Sequence, residues 1–300
     1  MKKLKYIALG LSALLLASCA MEEMFDGFGP QEGEEVVMTF KPELEDFESV
    51  TKALGNGDAV NYVWYAVYRP DGSLVQEYPL QPFTAGKANC PVKMVRDQDF
   101  KVVFVAQHYT VEGQTKTPAY AVDPVKATLT MPQTAMANSD NYDVFCIVDE
   151  VNDFQGNTTT KSLSLTRRVA QVNYICTPDD AAAAATQDKT PTASEIRLTG
   201  VPASYDIFSG QPSDNTIAVT YAKAALTGEA NLLGTAFCFA KDNLTDAELK
   251  LYKGDELTTT LNVGNVPVKP NKRTNIKGVI MTGTLNSQIG IDVDDTDISH

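Results

Sequence analysis

Val60-Asn61-Tyr62-Val63-Trp64-Tyr65-Ala66-Val67-Tyr68 runs straight into Arg69-Pro70-Asp71-Gly72. Valine and the aromatics favour a pleated, packed surface, and Pro-Asp-Gly is turn chemistry. From Val63 to Tyr68 the run is apolar without a break, so lone Trp64 reads as core rather than as a platform for a sugar. The same unit recurs down the chain. Val36–Phe40, Phe100–Gln107, Tyr142–Val148, Leu163–Leu165, Val169–Cys176, Ile196–Leu198, Ile217–Tyr221, Ala236–Ala240, Glu248–Tyr252, Leu261–Val263, Ile276–Thr282 and Ile289–Val293 are short and rich in Val, Ile, Tyr, Phe and Thr. Glu112-Gly113, Gln155-Gly156-Asn157 and Lys253-Gly254-Asp255 punctuate them. This pattern defines an all-β chain of the sandwich kind.

Only one segment reads as helical. Asp179-Asp180 stand before Ala181–Ala185, with Asp as the expected N-cap and Pro191 as the stop. It reads as a surface excursion and not as a site. Gly156–Thr160, after the acidic Asp149–Asp153, reads as a linker. It divides the chain into sandwiches at 34–155 and 158–300, behind a tether at 19–33.

The first residues are organised for export. Lys2, Lys3 and Lys5 give a positive start, Tyr6–Ala17 carries no charge, and Leu16-Ala17-Ser18-Cys19 follows. Residues 1–18 read as a signal peptide, too short for a spanning helix. The cysteine after small residues resembles a lipobox, which makes Cys19 the lipid attachment site and the outer membrane a partner through that lipid. An ordinary secretory signal beside a chance cysteine is the competing reading. Glu22 and Glu23 read equally as a surface-export address or as a solvated spacer.

Without the signal the chain carries 22 basic against 38 acidic residues. Such a surface repels phosphates, which argues against nucleic-acid binding. Two histidines, His108 and His300, leave little for imidazole catalysis, and no G-x-S-x-G, H-E-x-x-H or P-loop is present. The chain therefore reads as a non-enzyme with no cofactor. Asp292-Val293-Asp294-Asp295-Thr296-Asp297 lacks the glycine and terminal glutamate of a calcium loop, so it reads as an acidic terminus and no metal is expected. Cys90, Cys146, Cys176 and Cys238 are scattered, mostly within apolar runs. Buried free thiols are favoured over disulfides, whose pairing the sequence leaves open.

Several stretches taken together resemble the fimbrillin-like lipoproteins of Bacteroidetes, the subunit and accessory proteins of type V pili. They are Val60–Tyr78, Phe100–His108 with Tyr120–Val125, Leu165-Thr166-Arg167-Arg168-Val169-Ala170-Gln171-Val172, Val201-Pro202-Ala203-Ser204-Tyr205-Asp206-Ile207-Phe208-Ser209-Gly210, and Arg273-Thr274-Asn275-Ile276-Lys277-Gly278. The resemblance implies two tandem transthyretin-like β-sandwiches and a structural role in a cell-surface pilus at the outer membrane. Its implied partners are other pilus subunits or further copies of this chain. It also implies removal of the lipidated segment and first strand, leaving a groove that another subunit's strand fills. The equivalent cleavage stretch is Val50-Thr51-Lys52-Ala53, with Lys52 where the family has arginine, and the two cations are not interchangeable in a selective pocket. Near the other end, Ile289, Ile291 and Val293 alternate with Gly290 and Asp292, the period of a strand with one buried face and a candidate donor. A surface lipoprotein binding a glycan or host ligand on the same fold is the alternative.

Overall fold

The computed structural model describes residues 34–44, 55–155, 160–283 and 289–297. The first half contributes β1 (Glu35–Leu44), β2 (Tyr62–Tyr68), β3 (Leu74–Glu77), β4 (Gln81–Pro82), β5 (Cys90–Val95) and β6 (Phe100–Gln107). A hairpin of β7 (Tyr109–Glu112) and β8 (Thr115–Pro118) follows, then the short β9 (Ala121–Asp123), β10 (Thr128–Thr130) and β11 (Thr134–Met136). β12 (Val144–Val151) and β13 (Thr160–Arg167) complete it. The main sheet runs β3-β2-β6-β12-β13-β1-β5, with β4 also on β2. β12 and β13 pair only through Phe145↔Arg167 and Cys146↔Thr166. At that corner the sheet turns over on itself, so that Phe40 of β1 lies against Phe104 of β6 with ring centroids 5.3 Å apart.

β2 shows why its sequence does not alternate. On one face Tyr65 stacks on Phe104 at 5.9 Å, inside the first sandwich. On the other, Trp64, Ala66 and Tyr68 join a core cluster that continues through Leu129, Tyr205 and Phe239. Tyr68 meets Phe208 edge-on at 4.9 Å. A strand buried on both faces must be apolar throughout. Trp64 keeps its one donor satisfied by donating to Glu77 Oε1 at 2.6 Å.

The second half contributes β14 (Val169–Cys176), α1 (Pro178–Thr186), β15 (Ala193–Pro202), β16 (Ser204–Asp206), β17 (Gln211–Pro212), β18 (Thr216–Ala225) and β19 (Leu232–Phe239). β20 (Leu244–Lys253), β21 (Glu256–Val266), β22 (Lys272–Gly278) and β23 (Gly290–Asp297) follow. Its layers are β11-β18-β15-β20-β21 and β19-β14-β22-β23. Ile196, Leu198, Ala247, Leu249 and Leu251 point into the core. A Cβ on Gly234 would lie 3.0 Å from both the Ile196 and Leu249 methyl ends, so glycine lets the two layers approach.

Several boundaries differ from those expected. The sheet changes at Arg168, not at 155–158, because Thr160–Arg167 pairs in parallel with β1 over Thr39↔Thr160 to Leu44↔Leu165. In the other direction, β10 pairs with β16 and β11 with β18, so part of the first half is built into the second. The helix begins one turn early, with Thr177 rather than Asp179 or Asp180 as N-cap and Pro178 in its first turn. Asp180 is buried rather than on a surface excursion. The run read as Ile276–Thr282 stops being strand at Gly278.

The halves meet at Arg167. Its Nε donates to Asp143 Oδ1 at 2.7 Å and its Nη2 to Asp143 Oδ2 at 2.8 Å. Nη2 also donates to the Gly55 carbonyl at 2.5 Å, Nη1 to Asn271 Oδ1 at 3.3 Å, and the guanidinium lies over the Phe145 ring at 4.6 Å. Both charged side chains are almost fully buried, at 2% and 0% exposure. Removing one partner of such a pair strands a charge in the interior. Asp143→Ala should therefore lower the unfolding free energy by about 3–5 kcal/mol in urea titration. Lys87→Ala, which breaks the solvent-exposed pair with Glu43, should change it by at most about 1 kcal/mol.

Candidate assembly strands

β1 presents Met38, Phe40, Pro42 and Leu44, every second residue, to the interior, and all four are buried. The buried face thus extends past Phe40, where the sequence reading ended the strand. β1 is held on both sides: antiparallel to β5 from Glu35↔Val95 to Phe40↔Cys90, and parallel to β13. If β1 left, Phe104 would lie beneath the slot and Cys90, Val92, Met94, Leu163 and Leu165 would flank it, all buried with β1 in place. Either direction of an incoming strand would find one parallel and one antiparallel neighbour. Backbone pairing alone therefore does not set the direction of entry; the four side-chain positions do.

β23 is placed differently. It forms the outer edge of its sheet and pairs only with β22, through Lys277↔Gly290, Ile276↔Ile291, Asn275↔Asp292 and Thr274↔Val293. Ile289 and Val293 are half-buried, and Ile291 is 38% exposed opposite a fully buried Ile276. Lys277 and Asp292 form an exposed ion pair at 3.5 Å. Ile289, Ile291 and Val293 have the spacing of the slot positions, since side chains on one strand face recur about every 6.6–6.8 Å.

Cys19, Lys52 and Ala53 lie outside the described residues. The first described residue after Lys52 and Ala53 is Gly55, and both of its peptide groups are engaged. Its N–H donates to Asp140 Oδ1 at 2.7 Å and its carbonyl accepts from Arg167. Its φ of 92° is one that glycine adopts freely. Burial pushes the Asp140 carboxyl up to about 6, and nearby Asp143 and Asp58 add to this against the Gly55 N–H and Arg167.

Two of the sequence stretches meet side by side. Gln171 and Asn173 of β14 lie opposite Arg273 and Asn275 of β22. Arg273 Nε donates to Gln171 Oε1 at 3.2 Å, and Gln171 Nε2 to Asn173 Oδ1 at 3.0 Å. Asn173 Nδ2 donates to Asn275 Oδ1 at 3.1 Å, and Thr235 Oγ1 to Asn173 Oδ1 at 3.0 Å. The ladder satisfies buried amides; it brings no nucleophile to a base. His108 Nδ1 lies 2.9 Å from the Ala59 carbonyl oxygen, a structural contact. The four cysteines are buried and unbonded, and burial pushes the Cys90 and Cys238 thiols up to about 12 and Cys176 up to about 11. Among the described residues no three metal-ligating groups cluster, and no helix is long and apolar enough to cross a membrane. An open cleft of about 550 Å³ lies over the end of β1, lined by Lys41, Glu43, Thr84, Lys87, Asn89 and Ser162 among others, with no aromatic side chain.

These elements define an all-β protein of two sandwiches. The chain matches the family of unknown function DUF6562 over residues 30–297 and belongs to it. No curated protein matches the sequence. A solved structure described as a candidate cell adhesion protein from Bacteroides uniformis shares 8% identity over 89% of this chain and 99% of its own, with a TM-score of 0.52. A candidate polysaccharide-binding protein from Bacteroides thetaiotaomicron shares 11% over 86% and 97%, also at 0.52. The tip fimbrial protein Mfa3 from Porphyromonas gingivalis shares 12% over 88% and 100%, at 0.45. What the two likenesses at 0.52 establish is the fold.

The raised Asp140 carboxyl gives a pH test. The fold binds that proton more tightly than the unfolded chain does, so the associated stability is complete below about pH 4 and is lost as pH rises through about 6. Asp140→Asn, neutral at every pH, should be more stable than the native chain at pH 7 by about 2–3 kcal/mol, the difference closing towards pH 4. Urea titrations at the two pH values measure it.

Proposed function

We propose that this chain is an exported surface lipoprotein, anchored through Cys19, that serves as a structural component of a cell-surface pilus and joins its neighbours by strand exchange. The observation that carries the reading is the contrast between the two terminal strands. β1 fills a deep, doubly paired slot, whereas β23 is a shallow, singly paired edge with matching alternation. The sequence resemblance to type V pilus proteins and the fold shared with a candidate cell adhesion protein point the same way. Removal of β1 by cleavage after Lys52 opens the slot, and Ile289, Ile291 and Val293 of a neighbour fill it. The aromatic-free lining of the cleft over β1 gives no support to a sugar-binding alternative.

Val92 lies opposite Met38 in the sheet. After cleavage, a chain carrying Val92→Cys mixed with one carrying Ile291→Cys should form an intermolecular disulfide in assembled material. Cys90 is uncovered with the slot, so both chains also carry Cys90→Ser; Cys146, Cys176 and Cys238 stay buried and contribute little background. Deleting residues 289–300 should leave a folded monomer that no longer polymerises. Polymers formed by the deleted chain would overturn the donor assignment.

Cys19→Ala should move the protein from membrane to soluble fractions; unchanged fractionation would overturn the lipid anchor. The N-terminus of the surface form, Cys19 or Ala53, then separates an uncleaved anchor from a processed subunit.

A further inference from the structure

Asp180 accepts four hydrogen bonds from one short stretch of chain. Ile280 N–H and Met281 N–H both donate to Oδ2 at 2.7 Å, and Thr282 donates to Oδ1 through its N–H at 3.0 Å and its hydroxyl at 2.5 Å. Asp180 as a residue is 3% exposed. Burial alone would raise its pKa, but the Thr282 hydroxyl and the three amides outweigh this and hold it below the usual carboxylate range.

Asp180 is itself held in place. Its N–H donates to the Thr177 hydroxyl at the start of α1, and Thr177 N–H donates to the carbonyl of Gly278, the last residue of β22. The chain then closes tightly around the carboxylate, for a Cβ on Gly283 would lie 2.7 Å from the Val279 carbonyl oxygen. This wrapped turn lies directly between β22 and the segment that leads to β23. It uses none of β23's own hydrogen bonds.

We propose that Asp180 is the anchor of the terminal strand, pinning the chain at Ile280–Thr282 so that β23 can leave its edge and enter a neighbour while β22 and the second sandwich stay closed. The inference rests on the strand-exchange reading and adds a positioning residue to it. Without the pin, withdrawal of β23 pulls on the end of β22, which is central to the sheet through its parallel pairing with β14. With it, the disturbance stops at Thr282. The donor also leaves from a fixed point, which fixes the orientation of one subunit on the next.

The test uses the full chain with its first strand removed by cleavage, in native, Asp180→Asn and Asp180→Ala forms. Amide exchange at Ile280, Met281 and Thr282 is followed in monomer and in polymer, together with the rate of polymer formation. The native chain should protect these amides in both states. Asp180→Ala should lose protection at all three by more than tenfold, and Asp180→Asn should lose it at least at Thr282, where an amide group replaces an accepting oxygen. Both should polymerise at least tenfold more slowly while their monomers retain near-UV circular dichroism. Loss of protection in the native polymer, or native polymerisation rates in Asp180→Asn despite lost protection, overturns the anchor. A native chain that forms no Ile291 crosslinks overturns the exchange reading instead, whatever the amides show. Should Asp180→Ala not fold, Asp180→Asn and Thr282→Val, which removes one of the four donors, carry the comparison.

Discussion

The corner of the first sandwich is tied through the guanidinium of Arg167. One side chain at the end of β13 satisfies a buried carboxylate on Asp143, holds the chain at Gly55, and reaches the turn before β22 at Asn271. Arginine suits this position because its planar fork presents several donors in fixed directions. A buried pair is weak evidence for net stability, since desolvation offsets much of the attraction. Its value here is geometric. The chain is gripped just after the stretch that holds Lys52 and Ala53, so loss of everything before Gly55 leaves Gly55 itself in place.

The all-β class was legible because strand chemistry and turn chemistry agree along the chain. Val169–Cys176 and Phe100–Gln107 were legible residue for residue, because runs of Val, Ile and Phe end at polar turns. The terminal strand was legible for the same reason: Ile289, Ile291 and Val293 alternate with residues that make no demand for burial. β1 was only half legible. Pro42 and Glu43 hide the continuation to Leu44, because proline and charge argue against a strand unless its neighbours are known.

What the sequence concealed was every element whose reason lies in a distant partner. Thr128–Thr130 and Thr134–Met136 are too short and polar to declare themselves; they become strands because β16 and β18 offer open edges. Thr160–Arg167 looked like the opening of a second domain because a glycine precedes it, yet β1 and β12 claim it for the first. Val279-Ile280-Met281 looked like the end of a strand, since nothing local reveals that a carboxylate a hundred residues earlier takes up its amides. Asp143 and Asp180 left one trace each: an acid set against an apolar run or an alanine helix, where solvation is poor.

Under the proposed strand exchange, the two terminal strands account for why such a molecule would not assemble prematurely. A neighbour's β23 would gain two hydrogen-bonded partners in place of one, and, since its side chains start partly buried, only a fraction of the roughly 1.5–3 kcal/mol that each would yield on going from full exposure to full burial. In the intact chain that gain is not available. β1 occupies the slot with four buried side chains rather than three, and being tethered it competes at a high effective concentration that a separate molecule does not match. Exchange by simple displacement is therefore unfavourable, and only a covalent cut that lets β1 diffuse away reverses the balance. On that proposal the deep burial of β1 and the shallow seating of β23 are two halves of one device, in which the strand to be removed is bound tightly and the strand to be donated is bound loosely.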